Sequence, residues 1–229
     1  METKKAPNMN ATSVYSADDS THQLKVILVN GSPNEKGCTY TALSEVASAL
    51  EGEGIAVEIF HIGKNPMQGC TGCRACKDGG GCVFEDIVNE FVEKAKTADG
   101  FIFGSPVYYS GANGSMVSFL NRVFYSGSQY LAYKPGAAVV SARRAGTTAT
   151  LQQLYQYFTI NNMPLVSSQY WCMVHGNTPD EVRQDLEGMQ IMRTLGKNMA
   201  WLLKNIEAGK AAGMNLPEKE QRVGTNFIR

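Results

Sequence analysis

Short apolar runs that alternate with stretches of helical spacing restrict this chain's fold more than any other feature of its sequence. Residues 24–29 (LKVILV) are apolar and rich in β-branched side chains, and they end at once in NGSPNEKGCT. An apolar run without polar alternation reads as a strand buried on both faces, the environment of a parallel sheet. In residues 39–50, Ala42, Leu43, Val46, Ala47 and Leu50 fall on one helical face, and Gly52 and Gly54 end the pattern. The alternation then repeats. Residues 55–62 give a second strand, 85–97 a helix, 100–104 a third strand and 115–125 another helix. Residues 137–141 give a fourth strand, 148–158 a helix, and 164–173 a fifth strand that is polar in its middle. A last long helix starts after Thr178, an N-cap followed by Pro179, Asp180 and Glu181, and its apolar stripe runs from Val182 to Ile206.

Strands and helices in strict alternation predict an α/β fold: a doubly wound, five-stranded parallel sheet with helices on both faces. Residues 24–208 then form one domain. Residues 1–23 are polar and expected to be a disordered arm, and residues 209–229 an extended tail. The arm lacks both the apolar segment of a signal peptide and the Arg-rich pattern of a transit peptide. No apolar stretch approaches the roughly 20 residues of a membrane span. Lys plus Arg equals Asp plus Glu at 21 each, so no basic footprint for nucleic acid or an anionic membrane is present. Of the Cys 6, those at 70, 73, 76 and 82 crowd together, unlike a dispersed disulfide scaffold, which suits a reducing cytoplasm.

In a doubly wound sheet, ligands bind beyond the carboxyl ends of the strands, where the strand order reverses. Three segments leave such ends: residues 30–38, 105–114 and 142–147, all rich in Gly, Ser, Thr or aromatic residues. The first, GSPNEKGCT, runs into a helix N-terminus, where backbone N–H groups and the helix dipole favour an anion. It is neither a Walker A loop, since the Lys-Ser/Thr pair is missing, nor G-x-G-x-x-G, and a phosphate monoester fits it better. A plain turn with Thr39 as a cap is the competing reading. The second, SPVYYSG, sets Tyr108 and Tyr109 beside a glycine, a wall for a flat heteroaromatic ring or else a packing surface between subunits. The third carries Arg143, Arg144, Gly146 and Thr147, and solvated arginines are its plain reading.

Taken together, GSPNEKGCT, CTGCRACKDGGGC and ADGFIFGSPVYYSGANGSMVSFLNR resemble the NAD(P)H-dependent FMN reductase family of flavodoxin-like proteins, particularly its iron–sulfur flavoprotein branch. The resemblance covers residues 24 to about 208. It implies that Ser32, Pro33, Gly37, Cys38 and Thr39 hold the phosphate of FMN. Pro106, Val107, Tyr108 and Tyr109 would line the isoalloxazine, and Arg143, Arg144, Gly146 and Thr147 would close over it. Where this chain has Cys38 the family usually has Asn, so a side-chain amide donor is lost there.

Cys70, Cys73, Cys76 and Cys82 follow C-x2-C-x2-C-x5-C, the compact spacing of the iron–sulfur flavoprotein branch, with Gly79, Gly80 and Gly81 freeing the chain to bring in the fourth thiolate. A [4Fe–4S] cluster is the reading the resemblance implies. Zinc competes, although zinc sites usually pair two C-x2-C knuckles across a longer gap. Without metal, the thiols serve as small buried residues or a redox pair. Cys172 lies in an apolar run and reads as core.

The function these readings predict is transfer of electrons from NADH or NADPH through FMN to a small acceptor: a quinone, a nitroaromatic, a flavin or a metal ion. The flavin carries the chemistry, so no side chain is expected to act as acid or base. The alternative is an electron carrier between partner proteins, and a sensor of flavin or redox state is a third option. Aromatic residues from Tyr125 to Tyr133, with Tyr155, Tyr157, Tyr170 and Trp171, suggest an interface in a homodimer or homotetramer.

Overall fold

The structure is a computed structural model and describes residues 22–221 and 223–225. Nearly all of the arm expected at residues 1–23 lies outside the described residues, as does the end of the tail. The chain runs β1 (Lys25–Asn30), α1 (Cys38–Gly52), β2 (Ala56–His61), a 3-10 turn (Ala75–Asp78), α2 (Ile87–Ala95) and β3 (Gly100–Tyr108). It continues through β4 (Gly111–Ala112), α3 (Gly114–Ser126), α4 (Ser128–Leu131), β5 (Gly136–Ala142) and α5 (Thr147–Ile160). It ends with β6 (Met173–His175), α6 (Pro179–Gln184) and α7 (Leu186–Ala211).

Strands β2, β1, β3, β5 and β6 pair side by side in that order, all parallel. The chain therefore reverses direction across the sheet between β1 and β3, which is the flavodoxin-like order and its switch point. The alternation of β3 explains why its neighbours lie on both faces. Phe101 and Phe103 point to one side, where Phe103 stacks on Phe158 of α5 at 5.5 Å and Phe91 of α2 meets Phe119 of α3 edge-on at 5.1 Å. Gly100 and Gly104 face the other side, where a Cβ on Gly104 would come within 2.7 Å of Leu43 in α1 and one on Gly100 within 3.3 Å of Met199 in α7. Small residues on that face let α1 and α7 seat closely, while the phenylalanines supply the bulk of the opposite layer. Each fully buried Phe contributes roughly 1.5–3 kcal/mol of transfer free energy.

Several elements differ from the sequence expectation. The strand expected at residues 164–173 is reduced to Met173–His175 plus an isolated bridge between Gly136 and Leu165. Its polar middle serves α7 instead: Ser168 Oγ donates to the Ile191 carbonyl at 2.7 Å and Asn198 Nδ2 donates to the Ser167 carbonyl at 2.8 Å. The single last helix is divided at Asp185, whose carboxylate caps α7 through Gly188 N at 3.0 Å and accepts His175 N at 2.7 Å. Neither Gly nor Pro marks that break. A two-residue strand, β4, also pairs antiparallel with the end of β3. Among the described residues, no helix is long and apolar enough to cross a membrane.

Candidate functional site

The loops after β1, β3 and β5 meet at one edge of the sheet and are joined to one another. Gly31 N donates to the Gly104 carbonyl at 2.8 Å, and the buried Asn113 donates from Nδ2 to the Gly31 carbonyl at 2.6 Å. Thr39 Oγ1 and Ser141 Oγ share a hydrogen bond of 2.8 Å that ties α1 to β5. His61 at the end of β2 reaches the Ser32 carbonyl at 2.8 Å. Gly146 lies in the left-handed region at φ 90, and a Cβ there would fall 2.8 Å from Ser110 Cα. The second and third loops are thus in backbone contact, which only a glycine at 146 permits.

Helix starts fall into two kinds, and α4 belongs to the uncapped kind, opening on Gly127. Asp86, Asn113, Thr178 and Asp185 cap α2, α3, α6 and α7 with their side chains. By contrast α1 opens on Gly37 and α5 on Gly146, neither with a side-chain cap. The first-turn amides of those two helices are left to an outside acceptor, and the positive ends of both helices favour an anionic one.

The expected phosphate residues divide. Ser32 is buried with Oγ accepting from Asn34 N at 3.1 Å, Pro33 and Gly37 are half-buried, and Thr39 is buried inside α1 with its hydroxyl on Ser141. Thr39 is therefore not the cap of its helix. Cys38 is half-buried, with Sγ 3.7 Å from the Gly176 carbonyl. Burial pushes its thiol up, and Glu181 adds to the shift, so it stays a neutral thiol near pH 7. The third strand runs four residues past the expected 100–104, because Ser105 and Pro106 pair with β5 and Val107 and Tyr108 with β4, so Pro106, Val107 and Tyr108 end β3 and do not lie in a loop. Pro106 and Val107 are half-buried, whereas Tyr108 and Tyr109 stand out at 49% and 106% exposure. Tyr109 and Ser110 both take left-handed backbone, at φ 50 and φ 61, a strain of order 1–3 kcal/mol per residue that a loop keeps only when its surroundings hold it. Arg143 and Arg144 are exposed, and Thr147 is buried.

Cys70, Cys73, Cys76 and Cys82 all line one surface cavity, with Phe84, Arg122 and Tyr125. The loop curls through left-handed backbone at Gly72, Arg74, Gly79 and Gly81. Burial pushes the Cys76 thiol up, and the charges of Cys82, Cys70 and Cys73 add to it. Among the described residues, no three Cys, His, Asp or Glu side chains converge tightly enough to hold a single metal ion. A mononuclear zinc site needs sulfurs about 2.3 Å from one point, and this loop does not present that. Four thiols lining one cavity are the donor type that an iron–sulfur core takes.

Sequence reading missed Arg122, Asp86, Asn113 and His61 as parts of these sites. Arg122 is 1% exposed and donates to both carboxylate oxygens of Asp86, at 2.7 and 2.8 Å. Burial opposes its charge, but the bonds to Asp86 and Cys82 outweigh it and raise its pKa above the ordinary arginine value. The signal was a lone cation in the apolar stripe of α3, between Phe119 and Val123. The aromatic set expected at an interface splits: Tyr125, Tyr170 and Trp171 are exposed, while Tyr157 donates to Asn121 at 2.6 Å inside the fold.

Residues 24–178 match the family described as NADPH-dependent FMN reductase. An iron–sulfur flavoprotein of Methanocaldococcus jannaschii is 33% identical over 192 residues, which cover 80% of this chain and 100% of that one. One from Methanosarcina thermophila is 25% identical over 191 residues, 82% of this chain and 99% of the relative. Among solved structures, RosB with bound 8-demethyl-8-formylriboflavin-5'-phosphate aligns at a TM-score of 0.64 and 14% identity, over 90% of this chain and 94% of that chain. An archaeal flavodoxin aligns at 0.53 and 15% identity, over 79% and 99%. These structural likenesses speak to the fold. With the switch-point loops, the uncapped helix starts and the four-cysteine loop, the sequence matches settle the lineage: the chain belongs to the NADPH-dependent FMN reductase family, in its iron–sulfur flavoprotein branch.

Proposed function

We propose that the chain binds FMN at the joined loops and acts as an NAD(P)H oxidoreductase that delivers electrons to a small acceptor. The observation that carries the proposal is the pair of helices, α1 and α5, that open on glycines without side-chain caps at the one edge where three loops are in direct contact. In this reading the first-turn amides of α1, with Ser32 and the backbone of Gly37, Cys38 and Thr39, hold the phosphate. Pro106, Val107, Tyr108 and Tyr109 form one wall for the ring, and the segment Arg143, Arg144, Gly146, Thr147 closes the other side. Bound FMN supplies hydride acceptance and one-electron transfer. The protein orients it, limits access to it and sets its potential through backbone hydrogen bonds. Cys70, Cys73, Cys76 and Cys82 would hold an iron–sulfur cluster in their cavity. We propose also that the chain works as a homo-oligomer in the cytoplasm, with Tyr125, Tyr170 and Trp171 at subunit contacts.

A second reading, an electron carrier between redox proteins, draws on one feature. The four-thiol cavity opens to the surface, beside the exposed Val83 and Tyr125. One-electron centres near a surface suit relay to a protein partner. Both readings are tested by anaerobic spectra of FMN-loaded, iron-reconstituted protein before and after NADH or NADPH. Bleaching of the flavin within turnover time supports the oxidoreductase. Oxidised flavin after both donors, reducible only by a reduced redox protein, supports the carrier and sinks the first reading.

A further inference from the structure

We propose that Arg122 is the positioning residue of the four-thiol site: it holds Cys82 in place before any iron arrives and sets the electron affinity of the cluster. The proposal rests on the cluster reading above and extends it to a residue outside the cysteine motif. Arg122 is the largest fully buried side chain among the described residues. A buried guanidinium is costly unless its donors are met. Its two terminal nitrogens are met by Asp86, by the Gln68 carbonyl at 3.3 Å and by the Phe84 carbonyl at 3.3 Å. The remaining donor, Nε, points at Cys82 Sγ at 3.2 Å. Phe84 also lies under the guanidinium, 5.0 Å from ring centre to Cζ.

Gln68 precedes the first cysteine and Phe84 follows the last. One side chain anchored in α3 therefore closes the whole ligand loop from the inside. Asn89 on α2 completes the hold, accepting Cys82 N at 2.9 Å and donating to the Cys82 carbonyl at 2.9 Å. Cys70 and Cys73, by contrast, are exposed. Cys76 is half-buried, with Sγ 3.5 Å from the Tyr125 carbonyl, and Cys82 is the thiol held at both its sulfur and its backbone. Loop closure alone would need only Asp86 and the two carbonyls. A donor aimed at the sulfur adds chemistry, because an N–H bond from a cation stabilises negative charge on a ligand sulfur. When a one-electron donor, reduced flavin or dithionite, gives its electron to the cluster, the cluster gains one negative charge and no bond or proton changes at Arg122. Arg122 raises the potential for that step, and the Asp86 carboxylate moderates it.

The test uses the full chain and three variants: Arg122→Lys, Arg122→Gln and Asp86→Asn. Asn caps helices as Asp does, so Asp86→Asn keeps the cap on Val88 N at 3.1 Å while removing the counter-charge. In iron-free protein, hydrogen exchange at the Cys82 amide is expected to speed up by at least about tenfold in both Arg122 variants, the scale of losing a hydrogen bond to a charged group. In iron-reconstituted protein, dithionite titration followed by visible and EPR spectra gives the cluster midpoint potential. Arg122→Gln is expected to lower it, Asp86→Asn to raise it, and Arg122→Lys to fall between Arg122→Gln and wild type. Opposite shifts in Arg122→Gln and Asp86→Asn support the proposal, and a purely structural role would not produce them. Iron-loaded wild type whose potential is shared by Asp86→Asn overturns the Arg122 assignment alone, and this variant carries the test if the Arg122 variants do not fold. Wild type that takes up no iron overturns the cluster reading and the tuning with it.

Discussion

Replacing Gly146 with alanine asks whether contact between the second and third loops is part of the flavin site. The backbone at 146 has φ 90, and the added methyl carbon would sit 2.8 Å from Ser110 Cα, 2.9 Å from Ser110 Oγ and 3.0 Å from Val107 Cγ1. Left-handed backbone costs an L-residue roughly 1–2 kcal/mol, and overpacking adds roughly 1–3 kcal/mol. If both loops hold their places, the sum is about 2–5 kcal/mol, which at about 2–4 °C per kcal/mol lowers Tm by roughly 4–20 °C. If the loops part instead, Tm falls less, but the wall formed by Val107 and Tyr108 moves away from Thr147. FMN affinity is then expected to drop by at least about tenfold, the equivalent of roughly 1.4 kcal/mol. Thermal unfolding of flavin-free protein and a fluorescence titration with FMN measure the two quantities. Gly114→Ala is the control, since nothing lies within 4 Å of its added methyl, and in the first turn of α3 the change should be neutral or stabilising. A Gly146→Ala protein that melts like wild type and binds FMN with unchanged affinity would refute the reasoning outright.

Gly196 on α7 faces α1, where a Cβ would come 2.7 Å from Ala49 Cβ and 2.9 Å from the Val46 carbonyl; Gly196→Val should cost about 1–3 kcal/mol or more in urea unfolding, with no change of FMN site spectra. Lys134 donates to the Ala95 carbonyl at 2.9 Å, and burial brings its pKa down to about 8 from 10.5. Between those values the unfolded chain binds more protons than the folded one, so this residue's contribution to stability rises with pH across that window. Comparison of wild type with Lys134→Met from pH 7.5 to 10.5 should show the wild type gaining on the variant as pH rises, and a flat difference would count against it. Cys172 is 1% exposed and burial pushes its thiol up to about 12, so native protein at pH 8 should leave it unreacted toward Ellman's reagent while exposed Cys70 and Cys73 react. Its labelling before global unfolding would show that it is not core.

Strands β1, β3 and β5 were readable because each is an apolar run buried on both faces, a pattern that needs no partner to be recognised, while the edge strand β2 is only half-buried and showed through its β-branched and aromatic residues. The same holds for α1 and α2, whose apolar spacing is regular. The segment 164–173 misled because apolar ends flank Ser167, Ser168 and Gln169, whose hydrogen bonds run to α7, far away in sequence. The break at Asp185 escaped notice for a related reason: it exists to serve His175 N as well as α7, and only the folded chain brings those together. In the site, glycines and hydroxyls marked the loops, but not which hydroxyls were already spent. Thr39 and Ser141 satisfy each other across α1 and β5, and no local pattern reports a pairing between residues 102 apart. The cysteine motif was plain from spacing. Its clamp was not, because Arg122 belongs by sequence to the apolar stripe of α3.

The uncapped starts of α1 and α5 also bear on the life of the polypeptide before any flavin reaches it. Most other helices carry their own caps and can complete their first turns as soon as they pack. Those of α1 and α5, like that of α4, lack that help, so their leading turns fray more easily. A ligand that satisfies them stabilises the native state by mass action, in proportion to the logarithm of its concentration over Kd. Supply of flavin would then govern how long each newly made copy survives, and abundance of the protein would track the vitamin status of its cell.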